Sequence, residues 1–280
     1  MSEHNQPFQI TIAIEEDSLT AIEHLAKNTE LSKEKLKQTM HKGAVWLTRN
    51  NSTQRLRRAK KILQPGDTLH FYYDKKVLEE KSLDARLLAD QGQYSVWYKP
   101  YGMRSQGSRW GDHTTIYRYA EQNLKPQRTA FIVHRLDRFA SGLIILAHSK
   151  TIANAFARMF ENRQIEKHYQ AIVTGRFPAG TQHFTQAIDD KAASSYASLL
   201  GYDEKQDRSL VEIKIETGRK HQIRRHLATA GYPIIGDRLY GDAGIDSENL
   251  QLTCCYLAFT SPTDGSEQFY SLPEELLLRL

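Results

Sequence analysis

The sequence predicts an α+β protein: a mixed, mostly antiparallel β-sheet with flanking helices, preceded by a small basic α/β unit. Strand-like segments outnumber helical ones beyond about residue 90, and several of them adjoin through short connections. Ahead of them, two helical patterns and a few short strands form a separate run. The 280 residues suffice for one substantial domain and a small accessory one, at roughly 100 to 200 residues per domain. With 40% hydrophobic and 25% charged residues, the chain has the means to build a packed core.

Taken in order, PFQITIAIEED alternates apolar residues and reads as a strand. In SLTAIEHLAKN, Leu19, Ile22, Leu25 and Ala26 keep helical spacing behind Ser18 as a candidate cap. LSKEKLKQTMHKG predicts a second helix from Ser32 to the stop at Gly43. VWL and the segment after the LQPGD turn read as strands. The charged stretch DKKVLEEKSLDARLLADQGQ reads as a partly helical connector, which sets domains at 1–80 and 81–280. Beyond it YSVWY, TAFIV, GLIILA, HYQAIVTG, SYASLLGY, SLVEIKIET and LTCCYLAF are rich in β-branched and aromatic residues, as strands are. Helical patterns intervene near Thr114–Asn123, Ile152–Arg163 and Lys220–Ala230.

The net charge of +5 is unevenly spread. Residues 27–76 hold 13 cations, among them Lys33, Lys35, Lys37, Lys42, Arg55, Arg57 and Arg58, against 4 acidic residues, so this segment carries +9 and the rest of the chain is net acidic. Such asymmetry favours a polyanion as partner; a solvated face is the other reading. No run approaches the roughly 18 apolar residues of a membrane span, and the first residues lack a signal-peptide pattern, so a cytoplasmic protein without membrane association is expected. The two cysteines, Cys254 and Cys255, are adjacent within an apolar run and read as core.

Two stretches concentrate chemistry. In TAFIVHRLDRFASGLIILAHSK an apolar strand runs into His134, Arg135 and Asp137, and a second apolar strand leaves after Ser141 and Gly142. Asp137 is thereby held on a loop between two core strands, a rigid mount for one carboxylate. The pattern leaves open whether it works on a ligand, caps the turn or bridges to Arg135 or Arg138. In ETGRKHQIRRHLATAGYPIIGDRLYG a helix begins near Lys220 and stops at Gly231 and Pro233. Arg219, Lys220, Arg224 and Arg225 crowd its start, where each exposed cation costs roughly 0.3–1 kcal/mol against the helix dipole. A phosphate or an aspartate at that positive end would compensate. His221 and His226 are five apart with no glutamate after His221, which is not the spacing of a zinc helix, so no metal is expected.

Together with VWYKPYGMRSQG and IEKHYQAIVTG, these stretches resemble the RluA-like family of pseudouridine synthases. The family's HRLD-x-x-(T)SGL stands at His134–Leu143, I-x-K-x-Y-x-A at Ile165–Ala171, GR-x-HQIR-x-H at Gly218–His226 and PI-x-GD-x-x-YG at Pro233–Gly241. The resemblance implies isomerisation of uridine within RNA without a cofactor: the bond from ribose to the ring nitrogen breaks, the uracil turns, and ring carbon 5 rejoins the ribose. By position it makes Asp137 the essential carboxylate, acting as nucleophile or base, Tyr169 the ring packed on the target base and Arg224 the cation paired with Asp137. Arg135 becomes the side chain that enters the stack as the uridine leaves. His134, Arg219, Lys220, His221, Gln222 and Lys99, the last in the KP-x-G opening, become candidate substrate contacts. Two departures stand out: Ala140 replaces the usual Thr, and Leu252–Thr253–Cys254 replaces the usual LHA. The segment Leu31–Lys42, Gly43–Leu47 and Gly66–Asp67 resembles the RNA-binding domain first described in a small-subunit ribosomal protein. A monomer acting on ribosomal RNA, with transfer RNA as second choice, is the resulting expectation. The competing class is a non-catalytic RNA-binding or ribosome-assembly protein; Asp137 with Arg135, Tyr169 and Arg224 favours the enzyme.

Overall fold

The computed structural model describes residues 6–15, 19–241 and 248–280. Ser18, the expected helix cap, lies outside them. The chain divides into two compact units, residues 1–82 with 106–119, and residues 83–105 with 120–280.

The first unit opens with β1 (Phe8–Ala13), whose alternating burial follows its alternating sequence. Helix α1 (Ala21–Lys27) starts from a capping box in which Thr20 and Glu23 satisfy each other's backbone. Helix α2 (Lys33–His41) is capped by the Ser32 side chain, which accepts from the Lys35 N–H. β2 (Val45–Arg49), β3 (Ser52–Arg55) and β4 (Thr68–Tyr73) complete an antiparallel sheet ordered β1-β4-β2-β3. The polar β3 carries no apolar alternation, so nothing in its composition announces a strand. Leu25, Leu36, Met40, Leu63, Leu69 and Phe71 are fully enclosed between helices and sheet. Asp67 is buried and grips Arg49 through two bonds of 2.7 and 2.6 Å.

A short helix α3 (Lys75–Glu79) follows, but the expected helical connector then runs through irregular chain at residues 80–85 into a strand, β5 (Arg86–Asp90). Its Arg-Leu-Leu-Ala sequence has good helix propensity, and pairing with β6 (Tyr94–Lys99) overrides it. After α4 (Ile116–Asn123), β7 (Phe131–Ile132), β8 (Ser141–Ala147), α5 (Lys150–Glu161) and β9 (Glu166–Thr174) come β10 (Thr181–Phe184), β11 (Ser195–Asp203) and β12 (Arg208–Ile215). Helix α6 (Gln222–Thr229), β13 (Leu252–Thr260) and β14 (Glu267–Ser271) close the chain. The described strands form a sheet ordered β10-β11-β12-β9-β13-β8-β6-β5, with β14 on β13 and β7 on β8. All its pairings are antiparallel except β8 with β13, so the mixed, mostly antiparallel α+β architecture is as the sequence predicts. At that parallel contact Gly142 faces Cys254 at φ +115°, and a Cβ there would collide with the Cys254 backbone. No described helix is long and apolar enough to cross a membrane.

Candidate active site

β7 ends at Ile132 and β8 begins at Ser141, so Asp137 rides the loop between them, as its sequence context predicts. The loop is fastened from below by Lys99 at the end of β6. This lysine is fully buried, and its ammonium donates to the carbonyls of Ala140 (2.6 Å), Met103 (2.9 Å), Pro100 (3.1 Å) and Arg138 (3.4 Å). Burial pulls its pKa down to about 7, with the Asp137 charge opposing. Ser105 adds a second clamp, donating to the Leu136 carbonyl and accepting the Leu136 N–H.

Asp137 lines a cleft with Arg135, Leu136, Ala140, Tyr169, Ile215, Arg219, His221, Ile223, Arg224 and Leu252. Its side chain is 30% exposed, whereas that of Arg224, 3.4 Å away, is 5% exposed. The Arg224 guanidinium makes its closest bonds elsewhere: Nε and Nη2 each donate to Asp237 at 2.7 Å, leaving Nη1 for Asp137 Oδ2. The bidentate grip of Arg224 is therefore on Asp237, and Asp137, its partner by the family pattern, receives one arm. Burial would raise the Asp237 pKa, but hydrogen bonds from Arg224 and from the Leu239 and Tyr240 N–H groups hold it below the ordinary carboxylate value.

A second route closes on the same carboxylate. Asp237 positions Tyr240, whose hydroxyl lies 2.9 Å from His221 Nδ1, and His221 Nε2 lies 3.7 Å from Asp137 Oδ2. His221 caps α6 in the left-handed region, at φ 54° and ψ 30°, a conformation histidine tolerates better than most residues. Burial lowers its pKa, with Asp137 opposing and Arg224 and Lys220 adding to the lowering. The cationic start of α6 thus finds its acids in other segments: Asp237 and Asp137 for Arg224, and Asp189 at 2.8 Å for Arg225.

Tyr169, on β9, is 8% exposed and lines the cleft beside Cys254, where burial pushes its hydroxyl pKa well up. Arg135 is exposed on the Asp137 loop, Lys220 is exposed, and Arg219 lines the cleft while its Nε donates to the Ala192 carbonyl at 3.0 Å. Three expected substrate contacts are instead occupied within the protein. Lys99 is consumed by its four carbonyls. His134 Nε2 accepts the Ile145 N–H at 2.9 Å, its ring stacks on Phe160, and burial pushes its pKa down to about 3. Gln222, 3% exposed, accepts from Thr217 and the Arg219 N–H and donates to Ser194 and Ser195. The two departures from the family pattern are neighbours: Thr253 pairs with Ser141, next to Ala140, and the Thr253 hydroxyl is buried without a hydrogen-bond partner among the described residues.

In the first unit the basic residues also separate into two groups. Arg55 and Arg57 meet the buried Asp112 at 3.1 and 2.5 Å, and Lys42 donates to the Leu78 carbonyl. These three of the seven expected RNA contacts are turned to internal duty, since a buried carboxylate needs cations around it. Gly43 makes room for that carboxylate: its φ is +81°, and a Cβ would strike Asp112. Lys33, Lys35, Lys37 and Arg58 are exposed. Asp112, Asp237 and Tyr240 escaped the sequence reading. For Asp237 and Tyr240 the available signals were their places in the PI-x-GD-x-x-YG motif and Arg224 itself, an arginine on a helix with no acid within its own turns. Among the described residues no group of His, Cys, Asp or Glu is arranged to hold a metal.

The family model for RNA pseudouridylate synthase matches residues 93–229. A protein of Aquifex aeolicus (strain VF5) named uncharacterized RNA pseudouridine synthase is 32% identical over 166 residues, so the match spans about half of each protein, 51% of this chain and 52% of that one. A protein of Vibrio parahaemolyticus named tRNA pseudouridine synthase C is 31% identical over 207 residues, covering 60% of this chain and 82% of the relative. The chain belongs to the RluA-like family of RNA pseudouridine synthases. The fold agrees: human RNA pseudouridylate synthase domain containing 1 superposes with a TM-score of 0.58 at 22% identity, over 69% of this chain and 85% of that one. In this pseudouridine synthase family member the matched span contains Asp137, Tyr169, His221 and Arg224, ends before Asp237 and Tyr240, and leaves out the basic segment before residue 93.

Proposed function

We propose that this protein isomerises uridine to pseudouridine within RNA, with Asp137 as its single essential carboxylate. The observation that carries the reading is a partly exposed carboxylate at a cleft that also presents Tyr169, held 3.4 Å from a buried arginine. Whether it attacks the sugar or removes a ribose proton, the carboxylate has to be held in one orientation. Arg224 supplies that orientation, and Asp237 in turn orients Arg224. Tyr169 offers a planar face to the uracil, and Arg135 on the exposed side of the loop fills the place the uridine leaves. Residues 83–105 and 120–280 are then the catalytic unit, and the exposed Lys33, Lys35, Lys37 and Arg58 of the first unit hold the RNA backbone through phosphate contacts. The name of the Vibrio relative favours transfer RNA over the ribosomal RNA ranked first from the sequence.

Tritium release from RNA labelled at uracil carbon 5 tests the chemistry. Asp137→Asn preserves size and removes the charge, so release should fall by at least roughly 100-fold while RNA binding persists. Turnover by the variant at the wild-type rate would overturn the assignment. Mapping pseudouridines in total RNA from cells with and without the protein identifies the RNA.

A further inference from the structure

Two residues beyond Asp137, Phe139 leaves 44% of its surface in water. A large aromatic exposed to this degree at the tip of a loop forgoes the hydrophobic gain that burial would give it. The loop backbone is held on either side of the ring. The Gly102 N–H donates to the Arg138 carbonyl at 2.9 Å and Arg138 Nε returns a bond to the Gly102 carbonyl at 3.2 Å, while Lys99 holds the carbonyls of both Arg138 and Ala140. Phe139 is therefore pinned on each side. Its ring lies 5.4 Å from that of Tyr101 at a 34° tilt, and the Arg138 guanidinium lies 5.4 Å from its centroid. Aromatic faces and a cation are thus fixed together, with the Phe139 Cα at most about 7.6 Å from that of Asp137.

On this geometry, and resting on the enzyme reading above, we infer that Phe139, with Tyr101 and Arg138, is a stacking platform for a nucleobase of the substrate RNA that flanks the target uridine. RNA opened around an extruded nucleotide presents unstacked base faces and phosphates together, and an aromatic ring bordered by arginine matches both. The platform reads no base edge. It therefore accepts any base and contributes affinity and alignment of the strand at the cleft.

The test measures binding of a short labelled oligouridylate and of an abasic oligoribonucleotide of equal length, by fluorescence anisotropy at one salt concentration, to the full chain and to Phe139→Ala and Phe139→Trp. Loss of one stacked base weakens binding about 5- to 140-fold. Phe139→Ala should show that loss with oligouridylate and none with the abasic strand, and Phe139→Trp should restore it. Equal loss on both strands, which a merely disordered loop would produce, overturns the inference, as does no loss on either. Tritium release by the unaltered protein on labelled total RNA is read alongside. Its absence would reject the enzyme reading, whereas turnover together with base-independent binding at Phe139 would reject the platform alone.

Discussion

Arg224 divides its donors between two carboxylates of different character, Asp237 inside and Asp137 at the cleft. The inner pair is 4% exposed on both sides, so removing Asp237 leaves the buried Arg224 charge with only its 3.4 Å contact to Asp137. Asp237→Asn should therefore cost about 3–5 kcal/mol in urea unfolding at neutral pH. It should also lower single-turnover tritium release, because the arm that reaches Asp137 is no longer aimed. The pH dependence has a definite sign. Asp237 has a depressed pKa in the folded chain, so its stabilisation is complete above the ordinary value of 3.8 and is lost as pH falls through the lower folded value. The stability gap between wild type and variant should thus be constant near neutrality and narrow only below about pH 4. A gap that narrowed between pH 8 and 6 would point to a different group.

At the scale of elements, the parallel contact between β8 and β13 determines where the Asp137 loop ends. Gly142 stands at that junction, where a side chain has neither the backbone conformation nor the space it needs. This is the physical content of the Ser-Gly-Leu part of the motif. Gly142→Ala is expected to destabilise the protein by at least roughly 1–3 kcal/mol from backbone strain alone. Activity should fall further than the melting temperature implies, since β8 would have to move away from Cys254 and take the loop with it. Thermal unfolding followed by circular dichroism, with single-turnover rates measured well below the transition, separates the two effects. Wild-type rates in the surviving folded fraction would mean that the β8–β13 distance does not govern the carboxylate. The strands that sequence reasoning passed over, β3, β5, β10 and β14, lie at sheet edges or are short and polar, so they carry little of the apolar alternation that marks a strand.

For the whole molecule, charge is the property that matters. Of the cations gathered between residues 27 and 76, Arg49, Arg55 and Arg57 are committed to Asp67 and Asp112, so net charge overstates what is available to a polyanion. Replacing Lys33, Lys35, Lys37 and Arg58 together by alanine should weaken RNA binding without unfolding the first unit, because none of them is buried. For every phosphate that the variant no longer neutralises, the slope of log affinity against log salt should become shallower by roughly 0.7 to 0.9. Arg55→Ala should instead act on stability, through Asp112. An unchanged salt slope in the fourfold variant would mark that surface as a solvated face.

The sequence by itself determined the α+β class, the two helices of the basic unit with Ser32 as cap of the second, and the placement of Asp137 on a loop between two strands. The helices and the loop are written in periodicity and spacing over short stretches, and the class in the order of such stretches along the chain. Four ordered motifs were also enough to identify the family. Only the tertiary structure decided which charges meet. Asp137 and Arg224 are 87 positions apart, and Arg57 and Asp112 are 55 apart. Nothing local distinguishes an arginine that will hold a carboxylate from one that will hold a phosphate. Lys99, His134 and Gln222 have the composition of ligand-binding residues, and packing turned them inward, because polar groups enclosed by the fold have to satisfy one another. Arg224 was legible as a cation seeking an acid. That its principal acid is Asp237, in the motif that follows α6, depends on how the chain returns after that helix, which spacing by itself does not show.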